Sequence, residues 1–278
     1  MDWWAVIVAI ILGIVEGLTE FAPVSSTGHM IIVDDLWLKS KELFSPDVAN
    51  TFKIVVQLGS ILAVVVVFWD RLWSLIGIER KGVKKQNEGQ SLRLPMVIVG
   101  LIPATVLGFL FEDFIDEHLF SIETVLIGLI GGSFLMIAAD LLHMNKKRVT
   151  HTVDQLSYKQ ALIMGLFQCI ALWPGFSRSG STISGGVIAG ISHRASADFT
   201  FIMAVPIMMG ASGLSLYKNW EYMTPEALPF FIAGFISAFL FALISIRFFL
   251  ALISKVQLVP FAIYRIILGV ILMIIVYA

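Results

Sequence analysis

Glu16 and Glu20 stand four residues apart, so on a helix they share one face. Two carboxylates that close repel unless a cation or a shared proton lies between them. Hard oxygen donors of this kind suit Mg²⁺ or Ca²⁺, with waters and a substrate phosphate completing the shell. Two solvated acids at a helix end satisfy the same spacing. Downstream comes Ser25-Ser26-Thr27-Gly28-His29, after a proline and ahead of an apolar run. Hydroxyls at a helix start cap free backbone N–H groups, and the same N–H groups with the helix dipole favour an anion. His29 is three residues past Ser26, within reach on a first turn to exchange a proton with it or with a bound phosphate. A Ser or His beside an acid is a candidate nucleophile or acid/base. A capped helix with an interfacial histidine is the plainer alternative.

The stretch Ser177-Arg178-Ser179-Gly180-Ser181-Thr182 opens another apolar run in the same way. A guanidinium there needs a strong anionic partner, and its fork matches phosphate oxygens bidentately. A structural clamp to Glu16 or Glu20 is the alternative, and it is compatible with a phosphate role. Asp140, His143, His151 and His193 fall at helix ends and read as interfacial. Gln57 and Gln168 would bond broken backbone or pair between helices. The single cysteine, Cys169, excludes an intramolecular disulfide framework and a multi-cysteine metal site, and reads as a small buried hydrophobe. Two acids, hydroxyls, a histidine, an arginine and two helix starts suit a phosphate-bearing substrate, and a lipid surrounding suits one with a hydrocarbon tail.

The elements that must hold these residues are membrane helices. The 278 residues are 58% hydrophobic and 14% charged, where soluble domains carry about 25% charge. The net charge of −1 argues against a nucleic-acid partner. Six segments, at 52–69, 95–111, 122–142, 198–217, 228–250 and 258–277, are apolar enough to cross. Two further pairs, 3–20 with 27–37 and 159–173 with 182–191, are too short and meet at the polar motifs, so they read as re-entrant helix pairs. Polar, Gly/Pro-broken backbone at that depth is tolerated where it lines an enclosed or watery cavity. The first apolar run resembles a signal-peptide core, yet no Lys or Arg precedes Lys39, and a re-entrant half-helix is the better expectation. Trp3, Trp4, Trp37, Trp69, Trp73 and Trp220 fall near helix ends, as an aromatic belt would.

Loop charge sets the expected orientation. Arg71, Arg80, Lys81, Lys84, Lys85 and Arg93 mark one cytoplasmic loop, and Lys146, Lys147, Arg148 and Lys159 another. Arg247 and Lys255 mark a third inner turn, whereas 112–117 is acidic and belongs outside. Both termini then lie outside, and the two re-entrant pairs enter from opposite faces. Gly13 and Gly165 lie 152 apart, as do Glu16 and Gln168, Ser25 and Ser177, Thr27 and Ser179, and Gly28 and Gly180. Later in each half, Gly132-Ser-Phe-Leu-Met-Ile137 resembles Gly269-Val-Ile-Leu-Met-Ile274. The expectation is one all-α polytopic membrane domain over 1–278: six transmembrane helices plus two re-entrant pairs in an inverted-topology repeat. Its halves are 1–142 and 159–278, with a cytoplasmic connector at 143–158. Such repeats place broken helices and their polar site near the bilayer midplane.

On these residues the chain resembles the undecaprenyl-diphosphate phosphatase family of the bacitracin-resistance type. The resemblance runs through Gly13-Ile-Val-Glu-Gly-Leu-Thr-Glu-Phe-Ala-Pro-Val-Ser-Ser-Thr-Gly-His29, Gln57-Leu-Gly-Ser-Ile-Leu-Ala63 and Leu172-Trp-Pro-Gly-Phe-Ser-Arg-Ser-Gly-Ser-Thr-Ile-Ser-Gly-Gly186. Ala22 stands where the family's first motif has Leu, a conservative departure. The resemblance implies a multi-pass enzyme of the bacterial inner membrane, its site open to the outer face. That enzyme converts undecaprenyl diphosphate to undecaprenyl phosphate, recycling the lipid carrier of peptidoglycan and conferring bacitracin resistance. It implies dependence on Mg²⁺ or Ca²⁺ held by Glu16 and Glu20, an active-site Ser26 and His29, and a phosphate-binding Arg178. Ser25, Thr27, Ser177, Ser179 and Gly180 would then contact substrate. The expected partners are a polyprenyl diphosphate and membrane lipid, with a homodimer left open. The expected mechanism has Ser26 attack with His29 as base; direct attack by His29 is the alternative. A transporter or flippase for a polyprenyl phosphate, alone or as a second role, is the rival function.

Overall fold

The structure is a computed structural model that describes residues 3–78, 92–119, 121–144 and 149–277. Arg80, Lys81, Lys84, Lys85, Lys146, Lys147 and Arg148, on which much of the orientation rests, lie outside the described residues. Every named element is helical. In chain order they are α1 (Trp3–Thr19), α2 (Ser26–Met30), α3 (Ser40–Leu43), α4 (Pro46–Val67), α5 (Trp69–Leu75), α6 (Leu94–Leu110) and α7 (Glu112–His118). Then follow α8 (Ile122–His143), α9 (Tyr158–Ile170), α10 (Arg178–Ile188), α11 (His193–Lys218), α12 (Leu228–Val256) and α13 (Val259–Tyr277).

Among the described residues five helices, α4, α8, α11, α12 and α13, are long and apolar enough to cross a membrane. The sixth expected crossing, α6, has 17 residues, about 25 Å at ~1.5 Å per residue, against ~30 Å of hydrocarbon. The protein is therefore an all-α integral membrane protein. The six tryptophans expected in the belts are all exposed, from 36% at Trp73 to 71% at Trp220. Both expected helix pairs are present as a helix, a break and a second helix. The first outgoing helix continues past α2 as a π-helix over Ile31–Leu38. The second starts at Arg178 rather than 182, because the Ser177 hydroxyl caps it by accepting from Gly180 N at 3.2 Å. Two other helices start on capping boxes: Ser121 with Thr124 for α8, and Ser157 with Gln160 for α9.

The chain forms two compact units. One holds the residues within Met1–Ala22, Ser26–Val67 and Ala204–Phe249; the other holds Pro23–Ser25, Phe68–Met203 and Leu250–Ala278. In the first, Ala5, Val8, Ala9 and Leu12 form one apolar stripe of α1 and pack with Val48, Phe52, Val55 and Val56 of α4 and Phe230 and Phe231 of α12. Helices surrounded by lipid gain little from apolar area alone, so small residues that let backbones approach carry the packing. A Cβ on Gly13 would strike Gly234 O and Ser237 Oγ of α12. In the second unit, Leu92, Val97, Ala161, Met164, Ile191, Ala195, Phe199 and Met203 form the core. There a Cβ on Gly165 of α9 would strike the Gly100 backbone of α6. Gly13 and Gly165, at the shared spacing, thus make the same kind of close helix contact, each within its own unit.

Candidate active site

The first break begins where α1 runs out at Thr19, whose Oγ1 donates to Val15 O at 2.7 Å. Glu20 N still donates to Glu16 O at 2.9 Å, so the two acids keep helical spacing. Glu16 is buried at 6% exposed, and Glu20 is half-buried. Pro23 blocks continuation, and Ser25 turns the chain with φ +68°, a left-handed conformation rare outside glycine. α2 starts at once. Its first side chain, Ser26, donates its hydroxyl to Glu20 Oε2 at 2.7 Å. Thr27 and His29 follow on the same turn, both half-buried, and Gly28 is buried.

The second break repeats this plan. Beyond α9, Ala171, Leu172 and Trp173 donate in single-turn fashion to Gln168 O, Cys169 O and Ile170 O. Trp173 Nε1 anchors the turn on Thr124 O at 2.9 Å. Gly175 has φ +92°, and a Cβ there would strike Val125 O, so only glycine fits. Ser177 then has φ +70°, matching Ser25 to within 2°, and the two are 152 residues apart. A left-handed serine leading straight into a helix is uncommon, and here two occur at one sequence offset. Strain of this kind persists where the surroundings over-determine it, which is typical of functional sites. Ser177 Oγ also meets Ser179 Oγ at 3.1 Å. Arg178 is the first residue of α10 and is half-buried, whereas Ser179 is 1% exposed.

Glu16, Glu20, Ser26, Thr27 and His29 lie in the first unit; Ser25, Ser177, Arg178, Ser179 and Gly180 lie in the second. The Ser26 hydroxyl is directed to a carboxylate, so a hydroxyl nucleophile has a proton acceptor in contact. Gly180 N–H is already taken by the Ser177 cap. Among the described residues no group of three or more His, Cys, Asp or Glu could hold a metal. Glu16 and Glu20 offer two hard oxygen donors one turn apart. That set fits a divalent ion whose remaining ligands are water and substrate phosphate.

Two polar features escaped the sequence reading. Arg265 of α13 is fully buried at 0% exposed and donates to Gly175 O and Phe176 O of the second break, each at 2.8 Å. An arginine within an apolar helix was the available signal. Asp140 and His193, read as interfacial, are instead buried at 3% and 6%. His193 Nε2 meets Asp140 Oδ1 at 2.6 Å, and Asp140 Oδ2 accepts from Leu258 N and Val259 N at 2.8 and 2.9 Å, capping α13. The pair is buried because it closes a helix start that would otherwise leave N–H groups unmet. His143 is half-buried, its ring 5.1 Å from that of His193, and His151 is exposed.

The family described as Bacitracin resistance protein BacA matches residues 9–271. An undecaprenyl-diphosphatase of Bacillus subtilis (strain 168) is 64% identical over 275 residues, 99% of each chain. That of Geobacillus sp. (strain WCH70) is 69% identical over 275 residues, again 99% of each chain. Undecaprenyl-diphosphatase 2 of Bacillus licheniformis is 67% identical over 274 residues, with the same coverage.

Proposed function

Because the chain belongs to the bacitracin resistance protein BacA family, we propose that it is an undecaprenyl-diphosphatase, hydrolysing undecaprenyl diphosphate to undecaprenyl phosphate and phosphate. The observation that carries this reading is the Ser26 hydroxyl donated to Glu20 at 2.7 Å within the first helix break. A carrier has no need of a hydroxyl already paired with a proton acceptor. Full-length identity to the Bacillus and Geobacillus enzymes supports the same activity and the same lipid substrate.

Ser26 Oγ attacks the terminal phosphorus while its proton passes to Glu20. The bond from that phosphorus to the bridging oxygen breaks, and undecaprenyl phosphate leaves with the bond's electron pair. Water then attacks the phosphoserine, His29 takes the water proton, and phosphate departs as Glu20 returns its proton to the serine oxygen. The Ser26–Glu20 hydrogen bond supports Glu20, in place of His29, as the base of this first step. Arg178 at the head of α10 binds the transferred phosphoryl oxygens and offsets the charge that develops on them. Ser25, Thr27, Ser177 and Ser179 supply hydroxyls around the diphosphate. Glu16 and Glu20 would hold Mg²⁺ or Ca²⁺, which when bound supplies positive charge against the diphosphate. In this reading the two breaks enter from opposite faces as an inverted repeat. The site opens to the outer face of the bacterial plasma membrane, and the prenyl tail stays in lipid.

The test is phosphate release from undecaprenyl diphosphate by purified protein in detergent with a divalent ion. Wild type releases phosphate, and folded Glu20→Ala and Arg178→Ala do not. Folded wild type that releases none sinks the hydrolase reading and leaves the carrier.

A further inference from the structure

α13 is a 19-residue apolar helix with one charged residue, Arg265. A charge at that depth is retained where it has partners and a task. Nη1 donates to Phe176 O at 2.8 Å, and Nη2 to Gly175 O at 2.8 Å. Nη2 also reaches Gly128 O and Leu129 O of α8, each at 3.1 Å. Among the described residues its other acceptor is Met136 Sδ at 3.5 Å, so carbonyl dipoles and a thioether surround the guanidinium.

Gly175 and Phe176 belong to a non-helical turn, where carbonyls at membrane depth need a donor from the protein. One planar fork serves both, and they immediately precede the left-handed Ser177 and then Arg178. The surroundings are cut to admit it. A Cβ on Gly132 would strike Nη2, and one on Gly180, in the first turn of α10, would lie 3.1 Å from Nη1. The guanidinium therefore sits beneath the first turn of the helix that starts with Arg178. A lysine carries the same charge but no fork, and cannot hold two adjacent carbonyls in fixed directions.

We propose that Arg265 is a positioning residue for the phosphate site: by clamping the 175 and 176 carbonyls it fixes the backbone that presents Ser177 and Arg178. The proposal rests on the reading above that Arg178 binds phosphate. It acts through the turn and touches no substrate.

The test is a double-mutant cycle on phosphate release from undecaprenyl diphosphate in detergent with Mg²⁺, using Arg265→Lys, Arg265→Met and Arg178→Lys singly and combined. Both Arg265 variants, folded by circular dichroism, lower kcat/KM by roughly a hundredfold, the scale of a ~1 Å misplacement. In the Arg178→Lys background the further loss shrinks to a few fold, because residues acting through one turn do not add. Should Arg265→Met fail to insert, Arg265→Lys and Gly132→Ala, which keeps the arginine but crowds Nη2, carry the test with the same direction. Wild-type kcat/KM in folded Arg265→Lys, or losses that multiply in full, overturns the proposal. An Arg178→Lys protein as active as wild type sinks the Arg178 reading instead, a different result in the same data.

Discussion

Replacing Asp140 by Ala separates stability from activity. The carboxylate is 3% exposed and is met by three groups: His193 Nε2 at 2.6 Å, Leu258 N at 2.8 Å and Val259 N at 2.9 Å. Alanine leaves two backbone donors and one ring nitrogen without that acceptor. An orphaned buried donor costs about 1–3 kcal/mol, and removing one member of a buried pair about 3–5 kcal/mol. The loss should therefore be about 4 kcal/mol. At ~2–4 °C per kcal/mol for a chain of this size class, the unfolding midpoint in detergent falls by roughly 10 °C. Asp140→Asn keeps an oxygen for the α13 N–H groups and should lose about half as much. None of these partners belongs to either break, so the kcat of the folded Ala variant stays at the wild-type level. The assay is thermal unfolding by tryptophan fluorescence, with phosphate release measured well below the transition. An unfolding midpoint indistinguishable from wild type refutes the reasoning about the buried pair, and full stability with lost kcat would place Asp140 in the chemistry.

Gly165→Ala pushes a methyl into the Gly100 backbone and should cost about 1–3 kcal/mol by overpacking, seen as a lower unfolding midpoint. Gly210→Ala and Gly213→Ala meet nothing within 4 Å in α11 and should be neutral or stabilising by up to about 1 kcal/mol, so equal losses at all three sites would refute the close-packing account. A cysteine introduced at Asp113 in a Cys169→Ser background should react with an impermeant thiol reagent in intact cells; labelling only after lysis would put 112–118 inside and reverse the orientation.

The two breaks were legible because runs of Ser, Thr, Gly, Pro and His interrupt otherwise apolar sequence, and lipid makes such interruptions conspicuous. Most helix ends came within a few residues for the same reason, whereas α4 starts at Pro46 rather than 52 and α12 ends at Val256 rather than 250. The late start assigned to α10 reflects a cap whose consequence, helix from Arg178 onward, depends on a serine at φ +70°. The acceptor for Ser26 was not legible, since three-residue spacing on a helix favoured His29 while the turn folds Glu20 back onto the hydroxyl. Arg265 lies 90 residues from the Gly175 carbonyl it holds, and His193 lies 53 from Asp140. Contacts of that range depend on how helices pack, which periodicity does not encode. The π-helical stretch Ile31–Leu38 left no signature in an apolar run that suits an ordinary helix equally well.

The proposed reaction passes through a phosphoserine: Ser26, with its proton directed to Glu20, takes the terminal phosphoryl group of the lipid diphosphate. Rapid acid and alkaline quenching of enzyme turning over substrate labelled in the terminal phosphate, followed by peptide mapping, tests it most directly. The expected outcome is acid-stable phosphoserine at position 26 whose formation slows in Glu20→Gln. Acid-labile phosphohistidine at position 29, or an unmodified Ser26 under conditions that trap label elsewhere, would contradict it.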